Sequence, residues 1–143
     1  MSNWTHVAAI IRVDGLPFFG KYKDWDKIFG KECLWKSDRS VWDDMEEHPE
    51  DYLPHGSEGS LRKSVWVNPD ESSMAAYTIS IFGDLRHHDN IDGIIDWFNK
   101  SCDKCFIRQA CITVTNEWYG TKTVEYDRSR KENVYNNTED DEE

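Results

Sequence analysis

The sequence predicts an α+β fold, on three observations. Four stretches carry the apolar and polar alternation, with a period of two, that is typical of half-buried strands. Two helical patterns lie between them, giving the order strand, helix, strand, strand, helix, strand. A short strand rich in Thr and Val follows. This order is the split βαβ pattern of a ferredoxin-like sandwich with one extra C-terminal strand, an antiparallel sheet whose helices share one face.

The first half of the pattern lies in residues 4–60. The first predicted strand spans 4–13, and its odd positions from Val7 to Val13 are apolar. A helix is predicted over 21–29, where four large apolar residues share one side and Gly30 ends it. Residues 31–60 show no sustained period. They are predicted to be an irregular acidic insertion, with a turn or two of helix at 41–47.

The second half of the pattern is denser. Strands are predicted over 61–68 and from about 74 to 82, joined as a hairpin by the turn that follows Asn68. Asp89 and Asn90 offer caps for a helix over 91–98. Strands over 106–116 and 121–127 complete the sheet.

These elements predict one domain over residues 1–130 and an acidic, disordered tail over 131–143. No N-terminal segment has the pattern of a signal peptide, and no apolar run approaches the roughly 20 residues of a membrane span. We therefore expect a cytoplasmic protein without a membrane segment. Its four cysteines are expected to be free thiols.

The net charge of −11 is concentrated in two places. Residues 43–58 hold seven acidic side chains and 136–143 hold five, with no Lys or Arg in either segment. Of the 28 acidic residues, 16 therefore remain against 17 Lys and Arg elsewhere. A nearly neutral body argues against direct nucleic-acid binding, which depends on basic surface. Solubility and a disordered end would also explain the acidity.

Two motifs could carry chemistry. Cys102 and Cys105 have the spacing of half a zinc site or a redox pair, but no second ligand pair follows. This motif closes a helix, where the local field disfavours thiolate, so structural thiols are favoured over a metal or redox role. His87 and His88 are adjacent in a strand-to-helix loop, which favours a polar loop over an acid–base pair. We expect no catalytic residue, metal or cofactor.

The helix-free face of the predicted sheet is the remaining candidate. Strand phase assigns to it a set of polar and aromatic residues: His6, Ile10, Arg12, Arg62, Ser64, Trp66, Thr78, Ser80 and Phe82. Among these, the residues predicted to contact a ligand or partner are His6, Arg12, Arg62, Trp66 and Ser80. Aromatic, guanidinium and hydroxyl groups together could hold a nucleotide. A half-apolar face of this kind also suits an interface with a partner or with a second copy, which is the favoured alternative.

The first functional hypothesis is a small, acidic, non-enzymatic interaction protein, such as a phage-type or accessory inhibitor. Its clustered carboxylates would substitute for phosphates on the basic surface of a partner protein. The predicted interaction segment comprises Asp43, Asp44, Glu46 and Glu47. The alternative is a ligand-binding module that holds a nucleotide or similar small molecule on the open sheet face or between protomers. An enzyme that uses His87, His88 or the cysteine pair is the third hypothesis.

Overall fold

The computed structural model describes residues 2–15, 24–33, 39–70, 73–88 and 90–129. Within these ranges the chain is α+β, with five strands and three α-helices. In chain order the elements are β1 (Trp4–Asp14), α1 (Trp25–Phe29), α2 (Arg39–Glu47), a 3-10 turn (Pro49–Asp51), β2 (Leu61–Val67), β3 (Ala75–Arg86), α3 (Ile91–Cys102), β4 (Ile107–Asn116) and β5 (Gly120–Glu125).

The strands form one open antiparallel sheet in the order β2-β3-β1-β4-β5. β1 is central, since its backbone pairs on both edges, with β3 and with β4, and its odd positions from Val7 to Val13 are apolar. The register places Ile11 opposite both Ile79 and Ala110, and all three are buried. The predicted phase of the strands is therefore confirmed. One exception to burial is Val67, which is 60% exposed at the end of the edge strand β2.

The helices α1 and α3 contribute to the core that covers the odd-numbered face of β1. α3 begins where the Asn90 side chain accepts a hydrogen bond from the Gly93 amide at 2.9 Å, as the capping pattern predicts. Its buried face includes Ile94 and Phe98, which pack against the sheet residues of the main core. The Trp97 indole donates to the Phe29 carbonyl at 2.8 Å and so joins α3 to the end of α1.

The insertion is more ordered than the sequence suggests. It contains the nine-residue helix α2 and the 3-10 turn, and three of its residues, Cys33, Met45 and Tyr52, form a small second core. Leu53, immediately after, is fully buried in the main core. The helix predicted at 41–47 is therefore confirmed and spans 39–47, and the 3-10 turn over 49–51 adds regular structure to a segment that is otherwise expected to be irregular.

Several element bounds also differ from prediction. β3 continues to Arg86 and α3 continues to Cys102, each four residues further than the pattern indicates. Gly83 interrupts the apolar alternation of β3, but its φ of +155° lies in a region that glycine readily occupies, and the strand runs on to the buried Leu85. The first part of the helix predicted over 21–29, the Asp89 cap and the tail predicted over 131–143 lie outside the described residues.

Candidate functional site

The sheet face opposite the helices, here called the open face, is formed by the even-numbered residues of β1, β2 and β3 and the odd-numbered residues of β4 and β5. Three large apolar side chains on it are more than half exposed: Ile10 (52%), Trp66 (54%) and Phe82 (52%). Ala8 is also exposed and lies opposite Phe82, next to Ile10 along the face. The centre of this face is therefore an uncovered apolar patch.

Trp66 and Arg12 lie in one row across the sheet. Thr78 is the register partner of both, of Trp66 on β2 and of Arg12 on β1. Two strand spacings of about 4.8 Å separate the outer members of the row, so roughly 10 Å lies between their backbones. Ser80 lies two residues further along β3, half-buried between Ser64 and Ile10. The row thus combines an exposed ring, a hydroxyl and a guanidinium.

His6 lies at the other end of the open face, within a carboxylate cluster. Its Nδ1 is 2.6 Å from Asp84 Oδ1, and its Nε2 is 3.9 Å from Glu117 Oε2. Because His6 and Arg12 are six residues apart on one strand, about 20 Å separates them. The five predicted residues therefore share one face, as expected, but they do not converge on a single pocket.

Arg62 is engaged at the edge of the sheet. Its Nη1 lies 3.3 Å from Glu32 Oε2, while Glu32 Oε1 accepts the Lys63 backbone amide at 2.6 Å. The Glu32 carboxylate therefore occupies an edge amide of β2 that would otherwise be open to another strand. Lys63 points to the helix side with only 8% of its side chain exposed, where its ammonium contacts Asp26 and donates to the Gly30 carbonyl at 2.8 Å.

Two features of the open face escaped the sequence analysis. Cys111 is the exposed cysteine, while Cys33, Cys102 and Cys105 are buried. It lies opposite Ile10 at the centre of the face, and its phase, alternating with the buried Ala110 and Ile112, could have revealed it. Asp84 lies beyond the strand that the pattern predicts, which ends at 82, whereas β3 continues to Arg86.

A second candidate surface, here called the acidic ridge, lies on α2 and the 3-10 turn. It consists of five exposed acidic side chains: Asp43, Glu46, Glu47, Glu50 and Asp51. Among the side chains that the structure describes, which leave out those of 39–42, the cation that pairs with any of them is His48, whose Nδ1 lies 3.7 Å from Glu50 Oε1. Six carboxylates elsewhere each pair with a Lys or Arg: Asp14, Asp26, Glu32, Glu58, Asp92 and Asp96.

The acidic ridge is fixed to the body through the other side of α2. Met45 is buried against Cys33 and Tyr52, and burial raises the pKa of the Cys33 thiol to about 11. The Tyr52 hydroxyl donates a short hydrogen bond to Asp44. That bond, followed by burial and the charge of Asp44, raises the pKa of Tyr52 to about 12. Asp44, predicted to be part of the interaction segment, is thus half-buried and also anchors the helix.

Other residues that could carry chemistry are arranged as follows. Three exposed side chains, His48, Glu50 and Asp51, each offer one metal-ligand atom, and these atoms lie within 4.8 Å of one another. Exposed acidic groups often cluster in this way without an ion. Cys102 and Cys105 have no solvent exposure and lie at the end of α3 and in the turn after it, where the Cys105 thiol donates to the Ser101 carbonyl at 3.9 Å.

The loop after β3 is held by backbone and hydroxyl contacts. His87 has a φ of +58°, an uncommon conformation for a residue with a side chain. Its amide donates to the Asn3 carbonyl at 2.7 Å, and its Nδ1 lies 3.1 Å from the Ser57 hydroxyl. The carbonyl of His88 accepts a hydrogen bond from Thr5. These contacts tie residues 57 and 87–88 to the start of β1, which fits the polar-loop interpretation.

On the helix side, a groove of about 460 Å³ runs between α1, the 3-10 turn and α3. Its lining carries both signs of charge, from Lys27, Lys100 and Lys104 and from Glu50 and Asp96. Lys100 is already paired with Asp96 at 2.9 Å. No single charged group therefore dominates this groove.

No protein-family model, curated protein or solved structure matches this chain. None of the helices in the described ranges has the length and apolar character needed to cross a membrane.

Proposed function

We propose that this protein is a small, non-enzymatic interaction protein that binds a basic surface of a partner protein through the acidic ridge. The observation that carries the proposal is the contrast in pairing. Six carboxylates elsewhere pair with Lys or Arg, whereas the exposed acids of α2 and the 3-10 turn have no such partner among the described side chains, which leave out those of 39–42. A partner rich in Lys and Arg would supply the missing charges.

The anchoring of α2 supports this proposal. Like charges on adjacent helical turns repel one another, so the acidic face alone disfavours the helix. Buried Met45 and the hydrogen bond from Tyr52 to Asp44 counteract that repulsion and hold the ridge in one arrangement. A fixed set of carboxylates loses less conformational entropy on binding than a disordered acidic segment does.

Clustered carboxylates at fixed spacing can also take the place of phosphates in a groove that binds nucleic acid. The proposal therefore includes an inhibitory role, of phage or accessory type, in which the acidic ridge occupies such a groove on a cytoplasmic protein. Attraction of this kind acts mainly on the association rate and weakens as salt screens it.

The test uses the full chain, labelled with ¹⁵N, titrated with an oligo-arginine peptide and followed by NMR. We expect amide shifts centred on residues 43–51 and steep weakening of binding as salt is added. A triple variant, Asp43→Asn, Glu46→Gln and Glu47→Gln, should lose most of the binding. Asp44 is left unchanged because it holds Tyr52.

The matched control changes the same number of charges elsewhere. Asp92→Asn, Asp96→Asn and Glu125→Gln alter three exposed acids on α3 and β5, and this variant should bind the peptide as the parent does. Equal loss in both triple variants would show a general charge effect. Shifts confined to the acidic tail would show that the tail, and not α2, binds the peptide. Either result refutes the proposal.

A second candidate function is a module that binds a nucleotide or a similar small molecule on the open face. The row of Trp66, Thr78 and Arg12 favours it, because a ring could stack on a base while the guanidinium contacts a phosphate. Titration with nucleoside mono-, di- and triphosphates, followed through Trp66 fluorescence against a Trp66→Phe variant, tests this function.

We also propose that the fold is of the ferredoxin-like, split βαβ type with β5 appended. The strand order supports this assignment, since β1 lies between β3 and β4, and β3 lies between β1 and β2. α3 connects β3 to β4, and α1 lies between β1 and β2 in the chain. An experimental structure in which α1 and α3 lie on opposite faces of the sheet would contradict it.

A further inference from the structure

We infer that the open face is the interface of a homodimer, in which two copies of this chain stack sheet against sheet. Ile10, Trp66 and Phe82 are each more than half exposed, although most of the other large apolar side chains of the sheet are buried or partly buried. Contiguous exposed aliphatic and aromatic surface on a sheet is typical of interfaces. A second copy is the occupant because the face is complementary to itself.

The complementarity lies along β1. Consider a two-fold axis that lies between the two sheets and parallel to them, is perpendicular to the strands and passes near Ala9. This axis places the two β1 strands over each other in antiparallel directions. It places Arg12 of one copy over His6 of the other, because both residues are three positions from the axis. The His6 ring is hydrogen-bonded to Asp84, and its Nε2 lies 3.9 Å from Glu117 Oε2. Each guanidinium therefore faces a pair of carboxylates, and the contact occurs twice.

Arg12 has the freedom that this contact needs. It is exposed, and no ion pair joins it to another described residue, whereas Arg62, Arg86 and Arg108 each pair with a carboxylate of their own chain. A guanidinium without an ion-pair partner among the described residues at one end of the face, and two carboxylates at the other end, are the arrangement that a two-fold interface uses.

The centre of the face also matches itself. The same axis brings Ile10 over the partner's Ala8, a large side chain over a small one, at the roughly 10 Å spacing of stacked sheets. Five strands at about 4.8 Å spacing make a sheet roughly 20 Å wide. Over about 30 Å of strand length, this width gives roughly 600 Å² of interface per copy. The total of about 1,200 Å² is at the lower end of stable interfaces, so we expect dissociation in the micromolar range.

The first measurement is sedimentation velocity of the full chain from low micromolar to several hundred micromolar concentration. We expect a monomer–dimer equilibrium that Ile10→Asp abolishes, because the substitution places a carboxylate beside the two-fold axis in each copy. The control is Val67→Asp, which changes another exposed aliphatic residue of the sheet, 60% exposed and in the opposite phase. This control should dimerise as the parent does.

The second measurement tests the geometry of the interface. Arg12→Glu alone and Asp84→Arg alone should each raise the dissociation constant about tenfold or more, because like charges then face each other. The double variant, which exchanges the two charges, should recover most of the affinity. A merely structural role for either residue would not produce this rescue.

The third measurement uses the thiol of Cys111, the exposed cysteine of the four. Its reaction rate with a charged thiol reagent should fall as protein concentration rises, and Ile10→Asp should remove that dependence. Three results would each overturn the inference: a monomer at every concentration, a dimer unaffected by Ile10→Asp, or protection of Cys111 only when a nucleotide is added.

Discussion

The hydrogen bond between Tyr52 and Asp44 should determine how firmly the acidic ridge is attached. We predict that Tyr52→Phe destabilises the protein while leaving the ring in place, since the residue is 8% exposed and only the hydroxyl is removed. A hydrogen bond to a charged group contributes roughly 1.5–3 kcal/mol. Because Asp44 is half-buried rather than fully buried, solvent screening reduces the expected loss to about 1–2 kcal/mol.

The pH dependence of this contribution follows from the pKa of Tyr52. The folded protein raises that pKa to about 12, above the ordinary value of 10.0. Because folding raises the pKa, the stabilising contribution of the Tyr52 hydroxyl is fully present below the pKa of the unfolded state. It is lost as the pH rises through the folded one. The difference in unfolding free energy between the parent and Tyr52→Phe should therefore be constant to about pH 10 and disappear by about pH 12.

Urea unfolding of both proteins over this pH range measures the difference. At neutral pH the melting temperature of the variant should fall by about 3–7 °C. Tyr119→Phe is the matched control, because that side chain is 66% exposed and its loss should change little. Equal stability of the parent and Tyr52→Phe at neutral pH would refute the argument, as would a difference that persists unchanged at pH 12.

Three further predictions concern the supports of the fold. Lys63→Met should lower the unfolding free energy by about 1–3 kcal/mol in urea titrations, because the buried stem stays while the contacts to Asp26 and the Gly30 carbonyl are lost; an unchanged midpoint would contradict this. Gly30→Ala should lower the melting temperature strongly, because φ is +117° and an added Cβ would lie 2.5 Å from the Tyr52 carbonyl carbon; a variant as stable as the parent would show that α1 ends differently. Cys102→Ser should cost about 1–3 kcal/mol by placing a hydroxyl in the core, whereas Cys111→Ser should be neutral; equal effects in thermal melts would contradict the burial of Cys102.

The sheet could be predicted because its signal is local. Each strand alternates with a period of two, and that phase alone assigns Trp66 to the open face and Val65 to the core side. α2 could be predicted only as a turn or two of helix at 41–47, because the segment is short and four of its nine residues are acidic. Its attachment to the body depends on Cys33 and Tyr52, which lie outside the helix and add no helical period to the sequence pattern.

The candidate surfaces, like the fold, could be predicted only in part. Strand phase identifies which residues share the open face, but it gives no information about their partners. That His6 is held between Asp84 and Glu117, and that Arg62 is paired with Glu32, depends on pairings between distant segments. Lys63 is the clearest example. Its strand phase places a charged side chain on the helix side of the sheet, and that charge is stabilised there by the Gly30 carbonyl and Asp26.

The two surfaces are attached to the body through different residues, so they can be altered independently. The acidic ridge is anchored through Met45 and Tyr52, and neither of these lies on the open face. A dimer that stacks through the open face would carry two acidic ridges, and a partner with two basic sites would then bind with an avidity that a single ridge lacks. Ile10→Asp should accordingly weaken binding to a tandem oligo-arginine peptide with a long linker, but not to the single peptide. Equal binding of both peptides by Ile10→Asp and the parent would mean that the two ridges of the dimer do not act together.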